Sequence, residues 1–287
     1  MTTISRLTAA AKLSPGVLRS LFPLVLIYAA FLFFNREAIV PLLAGWWNSH
    51  EASQGLLIMP VSLWLTLQQL IRRPHLNLWP SWSWVVLFVA ASAGIHLGGL
   101  MHVQLIEFCS LIIAFVAISV ALYGIRQHGR GHHESYFPPL YGLLALPVWD
   151  YSNFIFQLGS LKATELFLKF SPIPNYVEGF RIELASGAFM VDAGCSGLRY
   201  MVSALAIALL YAYLYFRSWR ARLICVGSLL VLALIGNWLR IILIVVIGYV
   251  TDMQSPLVND HATFGWVIFA ILLVIWMMAM GRLERQK

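Results

Sequence analysis

Three side chains in the second half of this 287-residue sequence carry its reactive possibilities: Cys195, Arg240 and His261. A thiol paired with an imidazole is the usual way to make a thiolate nucleophile, because histidine takes and returns protons near neutral pH. An arginine beside them would hold the thiolate or a developing oxyanion. Cys195 stands between Gly194 and the pair Ser196, Gly197, and small neighbours let a substrate backbone approach closely. It opens an apolar run that reads as a helix. A helix start offers free N–H groups and a positive dipole end, so the position predicts a lowered thiol pKa and a set of oxyanion donors. A small apolar residue that merely opens a helix would look the same, and Cys109 and Cys225, inside apolar stretches, fit that description. The three cysteines are spaced for neither a disulfide framework nor a zinc site, and no metal or cofactor is implied.

Three further residues could support this set. Arg199 lies four positions after Cys195, one turn along the same face of a continuous helix. An arginine inside a membrane span costs roughly 2.5–3.5 kcal/mol unless it is paired or meets water, so Arg199 either serves the site or snorkels outward. Arg240 lies about ten residues, or about 15 Å, from the outer end of its span, too deep for easy snorkelling. Asn237 shares its face three residues earlier, and together they predict a polar cavity or a buried structural network. Asp260, next to His261, either orients the imidazole or caps the helix that follows.

The elements that must position these groups are membrane spans. The chain is 60% hydrophobic and 11% charged, against roughly 25% charged in soluble domains. Runs of about 20 apolar residues are needed per crossing. Eight are read, over residues 18–34, 55–71, 82–100, 103–125, 137–156, 195–216, 223–250 and 263–281, the fifth interrupted by Pro147 and Asp150. Pro41, Trp46 and Trp47 flank the first and read as interfacial. The net charge of +7 is a topology signal rather than a nucleic-acid footprint, since the basic residues fall in short runs between spans. One set of connections holds Arg6, Lys12, Arg19, Arg72, Arg73, Arg126, Arg130, Arg217, Arg220, Arg222, Arg282, Arg285 and Lys287. The other holds only Arg36, Lys162, Lys169 and Arg181. The two sets alternate in register with eight spans, which puts both termini in the cytoplasm.

The expected fold is therefore an all-α polytopic membrane protein, one integral membrane domain over residues 1–287, with the site between about 176 and 266. The long outer segment 149–194 starts with an amphipathic stretch, 161–170, expected to lie along the membrane interface. It then forms a β-hairpin over 179–192 that runs into Cys195. No cleavable signal peptide is expected, because no small-residue cleavage pattern follows the first apolar run.

With these residues placed, the sequence resembles the exosortase/archaeosortase family of multi-span cysteine transpeptidases. The segment from Glu178 to Arg199 is similar to the stretch leading into the family's Cys-Ser-Gly-Leu-Arg motif. Asn237 to Arg240 resembles its Asn-x-x-Arg motif, and His261 to Gly265 its His-x-x-x-Gly motif. Residues 49–60 resemble a looser first-loop pattern. The resemblance runs over nearly the whole chain in span order and is sharp from about Tyr176 to Trp266. The chain ends soon after the eighth span, so the C-terminal soluble domain of longer members is not expected.

The resemblance implies that Cys195 is the nucleophile, Arg240 the essential arginine and His261 the third member. It implies substrates that are exported proteins bearing a C-terminal Pro-Glu-Pro-type motif, a transmembrane helix and a basic tail. These would be cut at the periplasmic face of a bacterial inner membrane and passed to an acceptor of unknown identity, in systems that accompany exopolysaccharide production. The competing class is a permease or polysaccharide-export component that uses Arg199 and Arg240 to bind an anion. A non-catalytic membrane scaffold is the third. Neither competitor accounts for a cysteine and a histidine converging at one depth.

Overall fold

The computed structural model describes residues 15–48, 53–72, 82–123 and 136–285. Contacts divide the chain into two compact units, Met1–Val148 and Trp149–Lys287.

The first unit contains α1 (Pro15–Phe34), α2 (Arg36–Asn48), α3 (Gly55–Arg72), α4 (Trp82–Met101), α5 (Gln104–Tyr123) and the short α6 (Phe137–Tyr141). The chain bends by 84° between α1 and α2, at Asn35, whose side-chain amide donates to the Phe31 carbonyl at 2.8 Å. α4 and α5 pack closely because Gly98 has no Cβ; one there would stand 2.6 Å from the Glu107 nitrogen. Tyr28 ties α1 to α5 through the Ser119 hydroxyl at 2.7 Å. Trp47 is 79% exposed, as an interfacial residue would be, but Trp46 is only 4% exposed and packs against Gly55. The expected pairing of the two as interfacial anchors is corrected accordingly.

The second unit holds α7 (Asn153–Phe170), strands β1 (Asn175–Glu178), β2 (Arg181–Leu184) and β3 (Gly187–Met190), then α8 (Leu198–Tyr215), α9 (Trp219–Val250), the single turn α10 (Pro256–Asn259) and α11 (His261–Arg285). The strands form one antiparallel sheet in the order β1-β2-β3, one strand more than a hairpin. Ile182, Leu184 and Val191 turn inward onto Leu161 and Leu168 of α7 and Ile241 and Val245 of α9. A second core joins α8, α9 and α11. Ala204, Ala208 and Ala212 recur every fourth residue on α8 and meet Cys225, Leu229 and Ala233 of α9, with Phe269 and Trp276 of α11 closing the cluster. Small residues at this spacing let helix backbones approach closely in a membrane.

Among the described residues, five helices are long and apolar enough to cross a bilayer, α4, α5, α8, α9 and α11, or six if the bent pair α1 and α2 makes one span; α3 is a shorter apolar helix. Residues 137–156, expected as the fifth of eight spans, are not one helix. α6 passes into a 3-10 turn (Gly142–Ala145), Leu146 turns extended at ψ 133°, and a second 3-10 turn (Trp149–Ser152) precedes α7. Pro147 is the cause, since its ring bars the α conformation from the residue before it and removes a helical donor. The amphipathic stretch 161–170 is the second half of α7 rather than a separate helix.

Candidate active site

Cys195 sits in a short 3-10 turn, Ala193–Cys195, between the sheet and α8. The turn is capped by Asp192, whose carboxylate accepts the Cys195 N–H at 3.0 Å. The chain then passes through Gly197 in the left-handed region, φ +80°, before α8 begins. Glycine is required here twice over. Other residues strain at this φ, and a Cβ would stand 2.6 Å from Asn237 Nδ2.

This geometry corrects two expectations. Cys195 and Arg199 do not share a helix face, because the left-handed break at Gly197 lies between them. The guanidinium of Arg199 instead stacks over the rings of Trp266 at 5.2 Å and Tyr200 at 5.6 Å. Three N–H groups at and after the cysteine turn, expected as oxyanion donors, are also already engaged. Cys195 donates to Asp192, Ser196 to the Ala193 carbonyl at 3.1 Å, and Leu198 to the Ser196 hydroxyl at 3.2 Å.

The cysteine turn is held from α9. Asn237, 2% exposed, donates through Nδ2 to the Cys195 carbonyl at 3.0 Å and to Ser160 Oγ at 2.9 Å. Arg240, 1% exposed, donates through Nη2 to the Gly194 carbonyl at 3.1 Å and through Nη1 to the Tyr200 hydroxyl at 3.1 Å. Its guanidinium also lies over the Tyr200 ring at 5.5 Å. Two residues three apart on one helix thus grip two successive carbonyls of the turn. A small cavity lined by Tyr200, Gly236, Asn237, Arg240 and Gly265 borders the pair. Gly265 makes room for this arrangement. A Cβ there would overlap the Tyr200 hydroxyl and stand 2.6 Å from Arg240 Cδ.

Burial pushes the Cys195 thiol pKa up, the Arg240 charge pulls it down, the Asp192 carboxylate pushes it up again through its charge and its side-chain hydrogen bond, and the Asp192 main chain pulls it down through a backbone hydrogen bond. The balance is a raised pKa, where a helix start predicted a lowered one.

His261 opens α11, but its side chain lies outside the described residues, as do residues 49–52 of the first-loop pattern. Asp260 caps α11, its carboxylate accepting the Thr263 N–H at 3.2 Å.

The family model described as Transmembrane exosortase (Exosortase_EpsH) matches residues 46–278. The chain belongs to the transmembrane exosortase family. With its apolar helices this makes it a multi-pass membrane protein. No curated protein and no solved structure matches it.

In this exosortase, α7 supplies site residues that the sequence reading did not single out. Asn153 accepts from the Ser196 hydroxyl at 2.7 Å, and Gln157 donates to the Val191 carbonyl. Ser160 bonds Asn237 and the Ser196 carbonyl, and Thr164 bonds back to Ser160. Positions 153, 157, 160 and 164 fall on one helical stripe. That spacing of polar residues through an apolar helix was the available signal. Asp192 and Tyr200 carried none, since their roles depend on how the chain turns at Cys195.

Proposed function

We propose that this exosortase is a cysteine transpeptidase that cleaves the C-terminal sorting signals of exported proteins and passes the acyl group to an acceptor. The site would face the periplasm from the inner membrane, with both termini cytoplasmic. The observation that carries this reading is the grip of Arg240 and Asn237 on the carbonyls of Gly194 and Cys195. It fixes the backbone of one particular cysteine beside a buried positive charge, which a structural cysteine does not need.

In this reading His261 takes the proton from the Cys195 thiol, and the thiolate attacks the carbonyl of the scissile peptide bond. The positive charge of Arg240 stabilises the thiolate and the tetrahedral oxyanion that follows. As the C–N bond breaks, His261 returns the proton to the leaving amine. The thioester left on Cys195 is resolved by an amine or other nucleophilic acceptor, whose attack regenerates the thiol; water in that role would give plain hydrolysis. Asn237 and Asp192 hold the turn, and Arg199 supports the outer end of α8 through Trp266 and Tyr200.

The test is co-expression with a reporter that ends in a Pro-Glu-Pro-type motif, a transmembrane helix and a basic tail. Cys195→Ala is expected to leave it uncut at normal enzyme abundance, with Cys109→Ala and Cys225→Ala near wild type. Hydroxylamine-sensitive acylation mapped to Cys195 by mass spectrometry is the matching positive result. Processing that persists in Cys195→Ala would refute the assignment, and the mass of the product's new C-terminus separates transfer from hydrolysis.

A further inference from the structure

The sheet has two edges, and they differ. β1 ends on Glu178, whereas β3 reads Gly187, Ala188, Phe189, Met190, with no charge and no proline. Exposed edge strands are usually guarded by such residues against pairing with another chain. Val191 donates its N–H to the Phe180 carbonyl at 2.8 Å, so Phe189 and Gly187, which alternate with it, also face β2, opposite Ile182 and Leu184. The N–H and C=O groups of Ala188 and Met190 therefore point away from β2, and among the described residues no strand pairs with them. Both residues are exposed, Met190 at 61%.

β3 is anchored rather than loose. Phe189 packs into the gap left by Gly248 on α9, and Met253 packs against Gly187. The strand also leads directly to the nucleophile. Val191, buried at its end, is followed at once by Asp192, which caps the Cys195 turn, and Cys195 packs against the same apolar cluster as Ile182 and Val191.

Building on the transpeptidase reading, we infer that the open edge of β3 binds the acyl-donor chain as an added strand, so that its extended recognition segment runs alongside Ala188 and Met190 toward Cys195. Main-chain hydrogen bonds to an open edge supply affinity with little dependence on side chains, and alternate side chains of the added strand supply selectivity. The ligand class is an extended, uncharged-to-weakly-charged peptide segment, presented backbone first.

The full-length chain in membranes, with the reporter described above, provides the test. Ala188→Pro removes an outward N–H and leaves the ladder to β2 intact, a position where edge strands tolerate proline. Reporter cleavage is expected to fall about tenfold or more, while iodoacetamide labelling of Cys195 stays near wild type. Ala188→Val, which keeps the N–H, should cleave within about twofold of wild type. Wild-type cleavage by a well-folded Ala188→Pro would overturn the inference. A crosslinking arm does not depend on proline being accepted. Met190→Cys in a Cys195→Ala background is paired with single cysteines stepped through the reporter's recognition segment. Crosslinks at alternate reporter positions support an added strand; their absence, or a pattern without a two-residue period, overturns it. A wild-type chain that leaves the reporter uncut refutes the transpeptidase reading itself, whereas normal cutting without the period-two crosslinks refutes only the edge.

Discussion

Arg240 holds the carbonyl of Gly194 at 3.1 Å, one residue before the cysteine, from a position 1% exposed on α9. A buried arginine that spends one nitrogen on a backbone carbonyl both shapes the turn and charges it, and the two roles separate experimentally.

The charge role appears in the pH dependence of Cys195 alkylation. Ionisation makes the sulfur negative, so Arg240 favours it and Asp192 opposes it. Arg240→Met is expected to move the labelling curve to higher pH, and Asp192→Asn to lower pH. The check is the rate of iodoacetamide modification at Cys195 across the neutral-to-alkaline range, read by mass spectrometry. Shifts in the same direction would contradict this electrostatic balance.

The packing role appears at Gly265. A methyl group there meets Tyr200 and Arg240 at overlapping distances, whereas a Cβ at Gly281 on the same helix meets nothing within 4 Å. Gly265→Ala should lower stability by about 1–3 kcal/mol, as overpacking does, and reduce processing. Gly281→Ala should be neutral or slightly stabilising, by up to about 1 kcal/mol. Thermal unfolding in detergent distinguishes them.

Tyr200→Phe isolates one bond. The ring keeps its contacts with Trp266 and Phe269, at 5.6 and 5.4 Å, while Arg240 Nη1 loses its acceptor. A loss of about 1.5–3 kcal/mol is expected, the range for hydrogen bonds to charged groups. Unchanged unfolding temperature and processing would show that this bond does not hold the arginine.

Asn237 and Ser160 should differ in the same assay. Asn237→Leu removes the donor to the Cys195 carbonyl and to Ser160, leaving buried acceptors unpaired at about 1–3 kcal/mol each. Ser160→Ala leaves the bond to Cys195 in place and should retain most processing.

The motif residues were legible in the sequence because each is chemically conspicuous. A deep arginine, an asparagine three residues away and a cysteine among glycines need no coordinates to draw attention. Their relationships were less legible. Gly197 reads as a flexible neighbour, yet its left-handed φ breaks the helix on which Arg199 was expected to follow Cys195. Desolvation of the half-buried thiol reversed the expected direction of its pKa, because hydropathy does not reveal what packs around one side chain of a turn. Pro147 was visible as an interruption, but its hold on Leu146 decides that residues 137–156 form short turns instead of one span. The polar stripe of α7 was hidden by its division between an expected span and an expected interfacial helix. Reading residues 153–170 as one helix would have aligned it.

Four contacts around the Cys195 turn end on main-chain oxygens: Arg240 on Gly194, Asn237 on Cys195, Gln157 on Val191 and Ser160 on Ser196. These four grips do not touch the side chain at position 195, which meets Asp192 and the apolar cluster on its own. Serine or selenocysteine set at position 195 would keep the main-chain pose of the natural residue, so differences in reactivity among the three would report on the chalcogen and its contact with Asp192.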